Sequence, residues 1–267
     1  MAQATGGAQG AAGPCKNANG YTYELYRNAS AAQGAFRAGD EAYVVLKSEK
    51  TTGRVRVLEG PVHAPGEPFD GRYRVKYCCD GTEAHARPGR LREVYRPGTV
   101  VLCGETEDYR SLCRSQVVEG DLAVDIGSSY GISTAILAEH TGNNVIGFEC
   151  SRELIDASRV RYPHIRFEQF NVLSDLSHLA RVAAGATKVF VDIGGNRAFE
   201  DLVTLLPFLE GALRPPLVVV KSRELMRHAE DFMRRQAEGA GAGGAGITQT
   251  AGESAAGEAA AGEAAAG

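Results

Sequence analysis

Apolar and polar positions follow two different rules along this chain, and the rules change near Pro97-Gly98. Between residues 36 and 97, Tyr43–Leu46, Val55–Leu58 and Tyr73–Tyr77 are short runs that set apolar against polar side chains. Gly39-Asp40, Thr52-Gly53, Gly60-Pro61, Asp70-Gly71 and Asp80-Gly81 punctuate them. Strands of that length with turns at that spacing predict a small, strongly bent sheet or barrel. From residue 100 onward the strand candidates Leu122–Ile126, Val145–Phe148, Lys188–Val191 and Leu217–Val220 are more nearly continuous apolar runs, with Ile165–Phe170 a further strand between them. Near-continuous runs suit strands buried on both faces, as in a parallel sheet. The stretches between them are compatible with helices over about 105–119, 132–141, 151–162, 174–184 and 198–210, with a last one over 224–236. Such alternation predicts an α/β, Rossmann-like, doubly wound, mostly parallel sheet, short, of order 3-2-1-4-5. A ligand would lie over the carboxyl ends of strands one and four.

The densest chemistry lies in residues 122 to 149. A strand ends at Asp125, a turn carries Gly127 and Gly131, a helix follows, and a second strand ends on Glu149. Glycines let a ligand approach the backbone, and a helix N-terminus exposes unpaired N–H groups. An acid about 20 residues beyond the turn stands where a ribose diol needs an acceptor pair. A dinucleotide fingerprint requires G-x-G-x-x-G, whereas this loop reads Asp125-x-Gly127-x-x-x-Gly131, with Ser128, Ser129 and Tyr130 between the glycines. That spacing crowds a pyrophosphate and suits a smaller ligand; the alternative is a βαβ turn with incidental glycines.

Asp125, Gly127, Gly131 and Glu149 resemble, residue by residue, the first motif and second-strand acid of the class I S-adenosylmethionine-dependent methyltransferases. The resemblance implies S-adenosyl-L-methionine as cofactor. It implies that the loop, Ser128 included, backs the amino-acid part and that Glu149 holds the ribose hydroxyls. At the third strand tip the family often carries an acid facing the adenine amino group; here Asn171 could accept that hydrogen bond through its amide oxygen, and Val172 could cover the ring. The fourth strand tip reads Asp192-Ile193-Gly194-Gly195-Asn196, unlike the Asn/Asp-Pro-Pro-aromatic pattern of enzymes methylating base amino groups. Asp192 with Lys221 at the fifth strand tip is similar to two members of the Lys-Asp-Lys-Glu set of RNA ribose 2′-O-methyltransferases, and both are implied as catalytic. Otherwise Asp192 is a loop or cap carboxylate and Lys221 a solvated strand end.

The family usually adds two late strands, and residues after 236 are an Ala/Gly/Glu-rich tail that cannot supply them. The catalytic domain is then either minimal or truncated, with the usual substrate-side elements missing or replaced by the N-terminal β domain. The stretch 72–95 is weakly similar to Tudor-like and SH3-like barrels. Its aromatics Tyr43, Phe69, Tyr73 and Tyr77 are either core or a cage for methylated side chains. Arg72, Arg74, Lys76, Arg87, Arg90, Arg92 and Arg96 make either a phosphate-facing patch or a solvated face. The expected organisation is a disordered segment over 1–35, a small β domain over 36–97, a Rossmann-like domain over 100–236 and a disordered tail over 237–267.

Composition narrows the class only a little. The chain has 267 residues, 43% of them hydrophobic and 23% charged, with a formal net charge of -4, so no global excess of positive charge points to nucleic acid. Apolar runs are too short to span a membrane. The six cysteines form no C-x-x-C pair, and Cys78-Cys79 is read as lying in a strand with side chains on opposite faces. Reduced thiols in an intracellular compartment, cytoplasmic or nuclear, with an organelle address open, fit that count. The expectation is a methyltransferase acting on RNA or protein, with the β domain assisting recognition. The alternative is a catalytically inactive cofactor-binding scaffold or adaptor whose β domain binds a partner.

Overall fold

The computed structural model describes residues 16–26, 36–45, 53–193 and 199–242. In chain order its elements are β1 (Thr22–Leu25), β2 (Glu41–Val44), β3 (Arg54–Glu59), β4 (Tyr73–Tyr77), β5 (Glu83–Ala86), β6 (Leu91–Glu93) and β7 (Thr99–Cys103). They continue as α1 (Thr106–Ser115), β8 (Ala123–Ile126), α2 (Ile132–Thr141), β9 (Val145–Glu149), α3 (Arg152–Arg161), β10 (Arg166–Gln169) and α4 (Leu176–Val182). The last are β11 (Lys188–Val191), α5 (Phe199–Phe208), β12 (Leu217–Lys221) and α6 (Arg223–Ala242). Residues up to Glu230 form one compact unit. The second unit begins at Asp231 and, among the described residues, consists of the outer turns of α6, where Arg234 donates to Asp231 at 2.5 Å. The glycine pair Gly194-Gly195 with Asn196, residues 1–15 and the tail beyond 242 lie outside the described residues.

The large sheet runs β1-β7-β12-β11-β8-β9-β10, and every pairing in it is parallel. Within it, β10-β9-β8-β11-β12 is the order 3-2-1-4-5 expected from the apolar runs. The sheet does not stop at five strands, which corrects the expectation of a short one. β7 pairs with β12 through Leu217↔Thr99 to Lys221↔Cys103, and β1 then pairs with β7. Both added strands come from the N-terminal side of the chain, and one lies inside the stretch expected to be disordered. Thr22 is buried, and Tyr21 is 5% exposed within the core, so this segment buries enough apolar surface to be ordered.

Alternation along the strands sorts the core into two layers. Val100, Leu102, Val124, Ile126, Ile146, Phe148, Val189 and Val191 meet α4 and α5 through Leu179, Leu202, Leu205 and Leu206. Val101, Cys103, Ala123, Val145, Phe167, Phe190 and Val219 meet α1, α2 and α3 through Tyr109, Leu112, Cys113, Leu137 and Ile155. Tyr109, Leu112, Cys113 and Val117, expected on one face near residues 105–119, are all buried in that second layer.

The antiparallel sheet runs β5-β4-β3-β2-β6. It is a four-strand meander, β2 to β5, followed after a single 3₁₀ turn at Pro88–Arg90 by a fifth strand, β6, that pairs with the first. Its core is Ala42, Val44, Val55, Val57, Tyr73, Val75, Ala86 and Leu91. Tyr73 belongs to that core against Phe36, Tyr77 packs against the same core, and Phe69 stacks on His85, which favours the core reading for Tyr73 and Tyr77. Arg74 is paired with Glu59 and Glu83 and Arg56 with Glu41, which favours the solvated, ion-paired face. Cys78 and Cys79 lie in the turn after β4 rather than in the strand, because pairing with β5 ends at Lys76↔Glu83.

Hydrogen bonds from this sheet to the large one reach its amino-terminal edge. Arg54 Nη2 donates to Ser115 O at 3.0 Å, Gln116 Nε2 to Glu93 O at 2.9 Å, and Tyr95 N–H to Gln116 Oε1 at 3.0 Å. Ser115 and Gln116 end α1, which runs back from the carboxyl end of β7 toward the start of β8.

Pro207 inside α5 removes a ladder donor, and that helix ends in a wider π-turn, Leu209–Leu213. The turn carries Glu210, only 3% exposed. Tyr23 Oη donates to Glu210 Oε1 at 2.5 Å, and Asn17 and Asn19 donate to Oε2 at 2.7 and 3.2 Å. These bonds fasten β1 to the end of the fold. Tyr23→Phe should therefore lower stability by about 1–3 kcal/mol, the cost of a buried acceptor short of a donor. A urea titration would show it as a lower midpoint at constant slope; an unchanged midpoint would mean that Glu210 does not hold the strand.

Candidate functional site

Parallel strands place all their carboxyl ends on one edge, and a cleft opens there between β8, β9, β10 and β11. Ile126, Gly127, Phe148, Glu149, Cys150, Phe170, Asn171, Val172, Asp192 and Ile193 line it, around about 410 Å³ of empty space that includes open solvent. Five of the nine residues singled out in the sequence, Gly127, Glu149, Asn171, Val172 and Asp192, thus share one wall set. Asp125, Ser128, Gly131 and Lys221 do not line it.

The glycine loop is shaped by the protein's own packing. Gly127 has φ +87°, and a Cβ there would lie 2.1 Å from the carbonyl oxygen of Asp192, so the tip of β11 excludes any side chain. Gly131 opens α2 with φ +74°, and a Cβ there would meet the Phe167 ring at 2.8 Å. The Gly127 and Ser128 N–H groups both donate to Phe148 O, at 2.8 and 2.9 Å, and Gly131 N–H donates to Ser128 O at 2.8 Å. Most loop donors are therefore already used, which disfavours a pyrophosphate cradle of the kind built from free amides. Ser128 is buried, and its Oγ has no hydrogen-bond partner among the described residues.

Glu149 is held in place from its own strand tip. Its Oε2 accepts Ser129 N–H at 3.1 Å, and its Oε1 accepts Ser151 N–H at 2.9 Å and the Cys150 thiol at 3.3 Å. Oε1 thus already accepts twice, whereas Oε2 accepts once and keeps a second lone pair for a ligand hydroxyl. Asn171 uses Oδ1 for the N–H of Leu173 at 3.2 Å, an Asx-type turn that fixes the amide at the tip of β10. Beside it, Phe170 lies between Phe148 and His178, with ring centroids 6.3 and 4.5 Å away. Sequence reasoning missed Phe148 and Phe170 as walls. Their positions at the ends of apolar runs were the available signal.

Asp125 lies behind the cleft. Strand alternation turns it toward α1 and α2, where it accepts Tyr109 Oη at 2.9 Å and Thr134 Oγ1 at 2.6 Å. It is 1% exposed. Burial raises its pKa to about 6, against the lowering effect of the two hydroxyls, with the Asp192 and Glu149 charges adding to the rise. Burial also pushes the Tyr109 phenol well up, so Tyr109 stays a donor. The sequence carried no sign of this tie beyond Tyr109 on the buried face of its helix.

At the other end of the edge, Lys221 Nζ donates to Asp192 Oδ2 at 2.9 Å, both side chains about a quarter exposed (22% and 23%). Arg223 makes a two-pronged contact with Glu105 at 3.1 and 2.7 Å. The edge thus presents an apolar wall with a carboxylate on the β9 side and an accessible ion pair on the β12 side. Among the described residues no group of three His, Cys, Asp or Glu could hold a metal ion, and no helix is long and apolar enough to cross a membrane.

No protein-family model matches the chain, and no curated protein is similar to it at a significant level. Solved structures with a similar fold include an rRNA-methylase-type protein of Clostridium thermocellum, at 18% identity and TM-score 0.32 over 40% of this chain and 64% of that one. The 23S rRNA methyltransferase ErmE matches at 16% identity and TM-score 0.33, over 45% and 48%. Aeropyrum pernix fibrillarin, with natively bound S-adenosyl-L-methionine, matches at 15% identity and TM-score 0.31, over 58% and 68%. The chain therefore spans less than two thirds of the length of the first two. The fold class rests on the strand order of the chain itself.

Asp125 also sets a pH dependence. Its folded pKa of about 6 lies above the ordinary 3.8, so the fold favours the protonated acid. That contribution is full below about pH 4 and is lost as pH rises through 6. The shift corresponds to roughly 3 kcal/mol. Asp125→Asn, which mimics the neutral acid, should match the wild type near pH 4 and exceed its stability by roughly 2–3 kcal/mol at pH 7. Denaturant titrations of both proteins across that range would show the gap open; a constant gap would contradict the assignment.

Proposed function

We propose that the chain is an S-adenosylmethionine-dependent methyltransferase acting on RNA or protein. The observation that carries this reading is the placement of Glu149, oriented by two backbone donors, in one cleft with Gly127, Asn171 and apolar ring walls. Those residues fit a nucleoside: a carboxylate for the ribose hydroxyls, Phe148, Phe170 and Val172 for an adenine, and Asn171 for its edge. The occupied amides of the glycine loop support a ligand without a pyrophosphate. When bound, the cofactor's sulfonium supplies the methyl group. The chain's own part is to orient the acceptor, exclude water and manage the proton the acceptor loses.

For that proton the candidates are Asp192 and Lys221, proposed as the catalytic pair. Asp192 lines the cleft and holds Lys221 Nζ beside it. The same ion pair favours the second reading, an inactive cofactor-binding scaffold, because at 2.9 Å the two candidate groups engage each other.

The antiparallel sheet is proposed to assist recognition only of a large substrate. Its contacts are with the amino-terminal edge, opposite the cleft, and an RNA or a protein has the reach to touch both. The similarity to Tudor-like and SH3-like barrels is supported by a meander closed by a fifth strand after a 3₁₀ turn.

Two measurements test these readings. Calorimetric titration with S-adenosylmethionine and S-adenosylhomocysteine should show binding that Glu149→Ala weakens by about tenfold to a hundredfold, the loss of a charged acceptor. Unchanged affinity in the variant, or no binding by the intact protein, would remove the cofactor assignment. Lys221→Met should abolish transfer to RNA or protein acceptors while cofactor affinity stays within about twofold, the mark of an interaction needed only in the transition state. If transfer survives, the catalytic pair is wrong; if the intact protein binds cofactor and transfers to neither acceptor class, the scaffold reading holds.

A further inference from the structure

Two exposed cysteines follow one another in the β4–β5 hairpin, outside everything assigned to the cleft. The turn that carries Cys78 and Cys79 is fixed at both ends: Tyr77 N–H donates to Thr82 O at 2.8 Å, Gly81 N–H to Tyr77 O at 3.0 Å, and Cys78 N–H to Arg54 O at 3.0 Å. Thr82 N–H donates to Asp80 Oδ1 at 2.8 Å, and Gly81, at φ +74°, takes the left-handed position that closes the turn. Cys78 faces Glu41 of β2 and Arg54 and Arg56 of β3; burial and Glu41 push its thiol up, and the two guanidinium groups oppose that rise.

This geometry selects the ligand chemistry. Consecutive Cα atoms are about 3.8 Å apart, short of the roughly 4.4–6.8 Å that ordinary disulfides span. Joining the two sulfurs directly would strain the turn, and inserting one bridging atom lengthens the link. A zinc ion wants four ligands, and among the described residues no third Cys, His, Asp or Glu completes a set with these two. What fits is a thiophilic centre that takes two sulfurs and brings its remaining substituent with it.

We propose that Cys78 and Cys79 form a vicinal dithiol that chelates a monosubstituted trivalent arsenical. In the step, two S–H and two As–O bonds break, two S–As bonds form, and the thiol protons leave with the hydroxyls as two waters; nothing is oxidised or reduced. The product is a nine-membered ring closed through the peptide between the cysteines, so the second S–As bond forms intramolecularly. The exposed Cys150 can form only one such bond and serves as the internal control.

The test treats the full reduced chain with one equivalent of phenylarsine oxide in rising concentrations of glutathione. Adduct is read by intact mass and accessible thiols by a chromogenic thiol reagent. The wild type and Cys150→Ser should each lose two accessible thiols and keep one adduct. Cys78→Ser and Cys79→Ser should release the adduct at about a hundredfold lower glutathione, the loss of effective concentration that chelation provides. Two separate serine variants guard against one misfolding, and circular dichroism checks each. Equal retention by either serine variant, or a wild-type adduct stripped as readily as theirs, overturns the proposal, as does loss of the adduct in Cys150→Ser.

Discussion

Seven strands running in one direction put every carboxyl end on one edge of the sheet and every amino end on the other. The rest of the molecule follows from that constraint. Helices must cross between neighbours, so both faces are covered and the strands are apolar on both sides. The strand tips supply Gly127, Glu149, Asn171 and Asp192 to a single cleft although some 65 residues separate the first from the last. The antiparallel sheet, which enters beside the ends of α1, is held to the opposite edge by Arg54, Glu93 and Tyr95. A site and its accessory module therefore sit a strand's length apart, which limits what that module can touch.

Behind the cleft the chain trades stability for position. Asp125 sits between two helices with two hydroxyl donors and, unlike Asp192, has no cation among its hydrogen-bond partners. A buried carboxylate met only by hydroxyls is costly when charged. In return it ties the first strand of the βαβ unit to both α1 and α2, and so sets the height of the glycine loop between them. Gly127 and Gly131 are then required by Asp192 and Phe167, whether or not a ligand is bound.

Much of this was legible in the residues. Apolar runs between helix-compatible stretches identified β8 to β12, and their order was the one expected of a doubly wound sheet. The spacing of Gly127, Gly131 and Glu149 identified the βαβ tip. The two outermost strands were not legible. Thr99–Cys103 reads as one more apolar run beside a domain boundary, and Thr22–Leu25 is half polar; only the pairing of β7 with β12, more than a hundred residues later, and of β1 with β7 makes them strands of this sheet. Asp125 was legible as an acid at a strand end but not as a tether, because its partners lie on helices before and after it. The vicinal cysteines looked like strand residues because the alternating run Tyr73–Tyr77 leads directly into them, and the turn is set by Gly81 and the Asp80 cap three residues on.

The fastening of β1 has a consequence for how the chain folds. Asn17 reaches Glu210 across 193 residues of sequence, and β7 waits for β12 before it has a partner on its inner side. Contacts of such separation close large loops before they return any enthalpy, so they slow folding. A ribosome would have to deliver the Rossmann half as far as β12 before β7 could dock on it and β1 on β7, so two strands made before that half are placed after it.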